Sequence, residues 1–270
     1  MASEGRLRER TARVDGMPVR YRVTGEGEPV VLVHGLSGSS RWWARNVAAL
    51  SEHFRVYLVD LPGFGAMRYG DVRFALGEAA AWLHAWMEVV DLGSASLIGH
   101  SMGGYLCLEV AARWPESVRR LVLVAPAGVP EHAHVRGYAL PLLAELRYLD
   151  PRFAPTLAYD ALRAGPATLL RATVELLAHD ARVYAGAVRA PTLLIWGERD
   201  ALVSSSSGDM LARLIPGARA LILPRAGHIV MFDAAGAFDD AVIHFLAASP
   251  PGDRPRAEAS DAAPRTEAPS

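Results

Sequence analysis

The chain contains no lysine and no glutamine, a single asparagine, Asn46, and a single cysteine, Cys107. One cysteine excludes an internal disulfide framework and suits a reducing compartment, so a cytoplasmic location is expected. No stretch reaches the ~18 uninterrupted apolar residues that a membrane span needs. The opening MASEGRLRER has no apolar core of the signal-peptide kind. The 28 basic side chains are all arginine and face 29 acidic ones, for a net charge of -1. That balance gives no surplus to draw the chain onto nucleic acid or anionic lipid. The stretches GEGEP (25–29) and GFGAM (63–67) do not complete G-x-G-x-x-G, and neither opens a helix after a strand. A dinucleotide loop is therefore excluded. His132 and His134 have no nearby cluster to supply further ligands, so neither a metal nor a cofactor is expected.

What is present is apolar bulk: 51% of 270 residues, enough for one large domain with an ample core. Residues 10–24 alternate around Asp15-Gly16, which predicts a hairpin. Continuous apolar runs at PVVLVHG (29–35) and RVYLVDLPGFG (55–65) read as strands buried on both faces. Similar runs stand at SASLIGHS, RRLVLVAPAG (119–128), APTLLIWGERD (190–200) and RALILPRAGH (219–228). Helical spacing falls between them: SRWWARNVAALSEHF with Ser39 or Ser40 as N-cap, residues 73–93, the stretch from Met102 to Pro115, about 206–215, and about 231–247. The alternation predicts a mostly parallel sheet with helices on both faces. It is interrupted over 129–188, which has no β-rich run and reads as an inserted helical cap. The expected division is a core of 1–128 and 189–248, a cap of 129–188, and a disordered tail of 249–270, rich in proline, alanine and charge.

The chemistry centres on Gly99-His100-Ser101-Met102-Gly103. A serine between an apolar strand and a helix, with glycine two residues either side, is the pattern of a nucleophile elbow. The serine backbone is strained there, and side chains at the flanking positions would strike the neighbouring chain. A serine hydroxyl needs a base. His228 follows a predicted strand and precedes the last helix, which puts it at the same C-terminal sheet edge as Ser101. The base needs an orienting acid. Asp200 ends another strand at that edge, and Glu198 is the rival, nearer the strand and less free to reach. The order Ser, Asp, His differs from that of trypsin-like and subtilisin-like enzymes. For an oxyanion hole the two N–H donors expected are those of Met102 and Leu36, with Ser37 as second choice for the latter. His34 and His100 border this region and are expected to be structural or pocket-lining. Ser37, His100, Leu202, Val203 and Ile229 are expected to line the substrate pocket. Leu140, Leu142, Leu143 and Leu146 of the cap are candidates to roof it.

The segments VLVHGLSGSSRWW, VYLVDLPGFG, LIGHSMGG, LLIWGERDALV and RAGH, in this order, resemble the α/β-hydrolase superfamily over about residues 12–247. The resemblance implies an eight-stranded core, a cap between the sixth and seventh strands, and a Ser101–His228–Asp200 triad. A serine nucleophile argues against the dehalogenase and epoxide-hydrolase branches, which use aspartate. It fits small carboxylesterases, cofactor-free haloperoxidases and perhydrolases, and the carbon–carbon hydrolases of aromatic degradation. Many of the last group carry tryptophan after the catalytic histidine, where this chain has Ile229. The expected activity is hydrolysis of a small to medium lipophilic carboxylic ester by a monomer or homodimer. The alternatives are a carbon–carbon hydrolase of a vinylogous diketone, a perhydrolase, and a non-catalytic ligand receptor on the same fold.

Overall fold

A computed structural model describes residues 7–68, 74–130 and 139–248. The tail at 249–270 and the pair His132 and His134 lie outside these residues, as do the side chains of Leu140 and Leu142. Eight strands form one sheet: β1 (Arg8–Val14), β2 (Met17–Thr24), β3 (Pro29–Val33), β4 (Arg55–Val59), β5 (Ala95–His100), β6 (Val118–Val124), β7 (Thr192–Gly197) and β8 (Arg219–Leu223). Their order is β1-β2-β4-β3-β5-β6-β7-β8. The β1–β2 and β2–β4 pairs are antiparallel and the others parallel. The first hairpin turns at Asp15 and Gly16, both at positive φ, as a two-residue loop between twisted strands requires.

Ten helices accompany the strands among the described residues: α1 (Val47–Ser51), α2 (Leu76–Val89), α3 (Met102–Arg113), α4 (Ala139–Glu145), α5 (Ala154–Ala164), α6 (Pro166–Ala178), α7 (Arg182–Ala185), α8 (Ser205–Leu214), α9 (Val230–Asp233) and α10 (Ala235–Ala247). Helices α4 to α7 form the cap between β6 and β7. None of the described helices is long and apolar enough to cross a membrane.

The continuous apolar strands have a physical reason. Val31 and Val33 of β3 point into one core layer, with α2 and α3, while Val30 and Leu32 point into the other, with α1 and α10. A strand buried on both faces has no polar side to show in its sequence. Trp82 and Trp86 of α2 are buried in the first layer.

Three expected elements differ. The helix over SRWWARNVAALSEHF is instead a 3₁₀ turn at Ser40–Trp43 followed by the short α1. Trp42, Trp43 and Asn46 are all buried, against Phe153, Phe238 and Asp239 respectively, and one amphipathic face cannot serve all three directions. Of the two N-cap choices, Ser39 is the cap: its Oγ accepts the N–H of Arg41 at 3.3 Å. The last helix is broken at Ala234 (φ -123, ψ 43), leaving Asp233 free to accept the N–H of Gly227 at 2.9 Å. Strand β6 stops at Val124 because Ala125 turns to φ 42.

The sheet order matters for function. The chain leaves β3 towards β4 on one side and returns to β5 on the other. The loops after β3 and β5 therefore part at the C-terminal edge and leave a crevice between them.

Candidate active site

Ser101 sits at that crevice, between β5 and α3, with φ 51 and ψ -116. This is a strained backbone for a residue with a side chain, and it persists because its surroundings over-determine it. The Ser101 N–H donates to Val124 O at 2.9 Å, and Ser101 O accepts from Tyr105 N at 3.0 Å and Ala127 N at 3.1 Å. A Cβ on Gly103 would stand 2.5 Å from the carbonyl oxygens of Val33 and His34. A Cβ on Gly99 would collide with the Gly103 carbonyl and stand 2.7 Å from Cys107 Sγ. The glycines at plus and minus two are thus required by backbone approach. Cys107 lies buried beneath them, its thiol pushed upward in pKa by burial.

His228 lies beyond β8, and its Nδ1–H donates to Asp200 Oδ2 at 2.8 Å. That bond leaves Nε2 as the proton acceptor. Asp200 Oδ1 accepts the N–H of Leu202 at 3.0 Å and of Val203 at 2.9 Å. Glu198 is turned away, accepting the N–H of Arg225 at 2.9 Å. Burial alone would push the His228 pKa down. The nearby carboxylates, Asp200 first and then Glu145 and Asp233, outweigh it, and the net direction is upward.

The two other histidines at the crevice are neutralised by burial and held by hydrogen bonds. His100 Nε2 donates to the His228 carbonyl at 3.0 Å, and its pKa is driven well down by burial and by His228. His34 Nδ1 donates to Gly35 O at 2.8 Å while its Nε2 accepts Leu61 N–H at 3.0 Å. Burial lowers its pKa as well.

Ser101, His228, His100 and Ile229 open on one cavity of about 650 Å³. Leu36 and Ser37 line it from the loop after β3, and Leu202 and Val203 from the loop after β7. Met102 and Asp200 do not line it. Met102 is fully buried and reaches the crevice only through its backbone, while Asp200 stands behind the imidazole. Met102 opens α3, so its N–H has no partner inside the helix. Ser37 takes a positive φ of 62, which sets the direction of the loop carrying Leu36. Of the candidate roof residues with described side chains, Leu146 lines the cavity and Leu143 is 61% exposed. Among the described residues no group of three metal-ligating side chains is assembled.

Three buried or half-buried cap carboxylates that carry no sequence signal tie the cap to the core. Asp160, 1% exposed, accepts from Ser39 Oγ at 2.7 Å and from Trp42 Nε1 and Arg41 Nη1, both at 3.2 Å. Glu175 accepts the Leu76 N–H, at the start of α2, at 2.5 Å. Glu145 accepts from His228 N at 2.6 Å and from Ala201 N at 2.9 Å, and it also lines the cavity.

Residues 28–175 match the family model described as the alpha/beta hydrolase fold. Among curated relatives, the dihydrolipoyllysine-residue acetyltransferase component of the acetoin cleaving system of Pseudomonas putida is 33% identical, covering 87% of this chain and 68% of its own. The pimeloyl-acyl-carrier-protein methyl ester esterase of Chromobacterium violaceum is 34% identical over 76% of this chain and 88% of its own. The 2-hydroxy-6-oxo-6-(2'-aminophenyl)hexa-2,4-dienoic acid hydrolase of Metapseudomonas resinovorans is 25% identical over 90% and 92%. Dienoate hydrolases recur among the relatives.

Proposed function

Because the chain belongs to the α/β-hydrolase fold family, we propose that it is a serine hydrolase of small to medium, neutral, lipophilic carboxylic esters. The observation that carries this reading is the 2.8 Å bond from His228 Nδ1 to Asp200 Oδ2, set behind a cavity that Ser101 and His228 share. In this reading Ser101 Oγ attacks the carbonyl carbon while His228 Nε2 takes its proton. The N–H groups of Met102 and Leu36 hold the oxyanion. The imidazolium, stabilised by Asp200, then protonates the leaving alcohol. Water deprotonated by the same imidazole releases the acid and restores Ser101.

The cavity wall supports the ester over an acidic substrate. Its lining among the described residues includes the carboxylate of Glu145 and no arginine, and its remaining surface is mainly leucine, valine and alanine. A pocket of that chemistry favours a neutral guest. The relatives give broader support to a second reading, cleavage of a carbon–carbon bond beside a ketone, because dienoate hydrolases recur among them. Both readings use the same nucleophile and base and differ in the leaving group.

The experiment is a burst and steady-state assay with nitrophenyl acetate, butyrate and octanoate, run beside a 2-hydroxy-6-oxo-dienoate. It compares the intact protein with Ser101→Ala. Ester turnover lost in Ser101→Ala supports the proposal, and the chain-length profile sizes the pocket. Decay of the coloured dienoate without ester turnover transfers the assignment to the carbon–carbon reading. Folded protein inert towards all four overturns both.

A further inference from the structure

Glu145 occupies a position that neither reading above requires. It ends α4 in the cap, yet its two carboxylate oxygens bond to two different core loops. Oε1 accepts the backbone N–H of His228 itself at 2.6 Å. Oε2 accepts the N–H of Ala201, the residue after Asp200, at 2.9 Å. The residue is 8% exposed, the His228 bond is buried and the Ala201 bond half-buried, and charge-assisted hydrogen bonds to such a carboxylate are strong. The loop carrying the base is shaped around it. A Cβ on Gly227 would stand 2.7 Å from Glu145 Oε1, and the Gly227 N–H is taken by Asp233 at 2.9 Å.

We propose that Glu145 is a positioning residue whose carboxylate, reaching in from the cap, sets the placement of the base and acid loops, so that proton transfer by His228 depends on this one clamp rather than on cap attachment in general. The inference rests on the serine-hydrolase reading for its catalytic consequence. One carboxylate clamps the backbone of the base to the backbone beside its orienting acid, which fixes the His228–Asp200 pair from a third element. Asp160 and Glu175 also hold the cap, but their donors are Ser39, Arg41, Trp42 and Leu76, away from the base. Removal of either loosens the cap without touching the His228 backbone. The titratable groups around His228 are Asp200 from the β7 loop and His100 from β5, which meet the imidazole, with Glu145 from α4 on its backbone N–H and Asp233 from α9 on that of Gly227. Loss of the Glu145 charge removes one of three negative neighbours, so the base becomes easier to deprotonate.

The test compares the intact protein with Glu145→Gln, Glu145→Ala and Glu175→Gln. Hydrogen–deuterium exchange is measured over 199–203 and 226–229, and it needs no substrate. Exchange in both segments is expected to rise in Glu145→Ala and to stay at the wild-type rate in Glu175→Gln. With nitrophenyl butyrate, kcat is expected to fall about tenfold or more in Glu145→Gln. KM is expected to change far less. The acid limb of kcat/KM is expected to move to lower pH in Glu145→Gln and to stay in place in Glu175→Gln. Gln preserves the volume and one acceptor, so it remains informative where Ala fails to fold. Unchanged exchange at 226–229, or the same limb shift in both Gln variants, overturns the proposal. Fluorophosphonate labelling of Ser101 in the wild type reports separately on the underlying reading. Absence of labelling and turnover removes the hydrolase, while the exchange result still decides whether Glu145 clamps the loops.

Discussion

Asp200 divides its two oxygens: Oδ2 holds His228 Nδ1 at 2.8 Å, and Oδ1 holds the N–H groups of Leu202 and Val203. The carboxylate is thereby locked in rotation and presents one lone pair to the imidazole. Asp200→Asn places an amide there, which favours the wrong tautomer of His228. A loss of about 10³–10⁴ in kcat/KM is expected, with the fold retained by circular dichroism. Glu198→Gln, at the rival position, is expected to stay within about threefold of wild type because the Glu198 carboxylate is turned to the Arg225 backbone N–H, away from the imidazole. A fall of the same size in Glu198→Gln would reverse the assignment.

The direction of the His228 shift makes a second prediction. Burial pushes the imidazole towards the neutral form, and the surrounding carboxylates push harder the other way. The base must be neutral to accept the Ser101 proton, so activity is lost as pH falls through the raised value. The half-maximal point of the kcat/KM acid limb is expected above the ordinary histidine value of about 6.5. A profile recorded from acid to weakly alkaline pH with a neutral ester checks it, and a limb below that value would contradict it.

The elbow glycines predict a stability effect with its own control. In Gly99→Ala the new methyl meets the Gly103 carbonyl and Cys107 Sγ, and backbone cannot yield cheaply. A loss of about 2–4 kcal/mol is expected in urea unfolding. Gly186 has open space around its missing Cβ and an ordinary φ of -70. Gly186→Ala is expected to be neutral or slightly stabilising.

Asp239 predicts a pH effect on stability. Burial raises its pKa from 3.8 to about 6, against the opposing hydrogen bond from Asn46 Nδ2 at 2.8 Å. A carboxyl raised on folding contributes stability that is complete below its unfolded value and is lost as pH rises through the folded value. Between those two values the native state binds the extra proton, and above about 6 the buried carboxylate is a cost. Asp239→Asn imitates the protonated form and offers an N–H to Asn46 Oδ1, which has no partner among the described residues. The variant is expected to be about 1–2 kcal/mol more stable than wild type in weakly alkaline buffer. The advantage should shrink near pH 4. Chemical unfolding at both pH values tests the sign, and an advantage larger at the acid end would contradict it.

Much of the fold was legible in the chain itself. The two-faced strands, the hairpin at Asp15-Gly16 and the elbow at Ser101 each express a local rule, and local rules leave local patterns. The expected helix over SRWWARNVAALSEHF did not form as one piece because Trp42, Trp43 and Asn46 pack in separate directions, a demand set by Phe153, Phe238 and Asp239 far along the chain. Propensity yields to such packing when large side chains must be buried. Likewise, the carboxylates of Asp160 and Glu175 have the same local appearance as the solvent-facing acids of any surface helix.

By itself, then, the sequence determined the alternation of strands and helices, the place of the cap, and which serine, aspartate and histidine stand at strand ends on one sheet edge. The periods of strand and helix, and the steric need for Gly99 against Gly103 and Cys107, are interactions between near neighbours, whereas Gly103 is required by the carbonyls of Val33 and His34, some seventy positions away. Only the tertiary structure decided that Asp200 rather than Glu198 faces the imidazole, and that Glu145 reaches His228 across 83 positions of chain. Those contacts depend on how whole elements pack, and a carboxylate drawn from a distant helix into two backbone N–H groups leaves no periodic trace around itself.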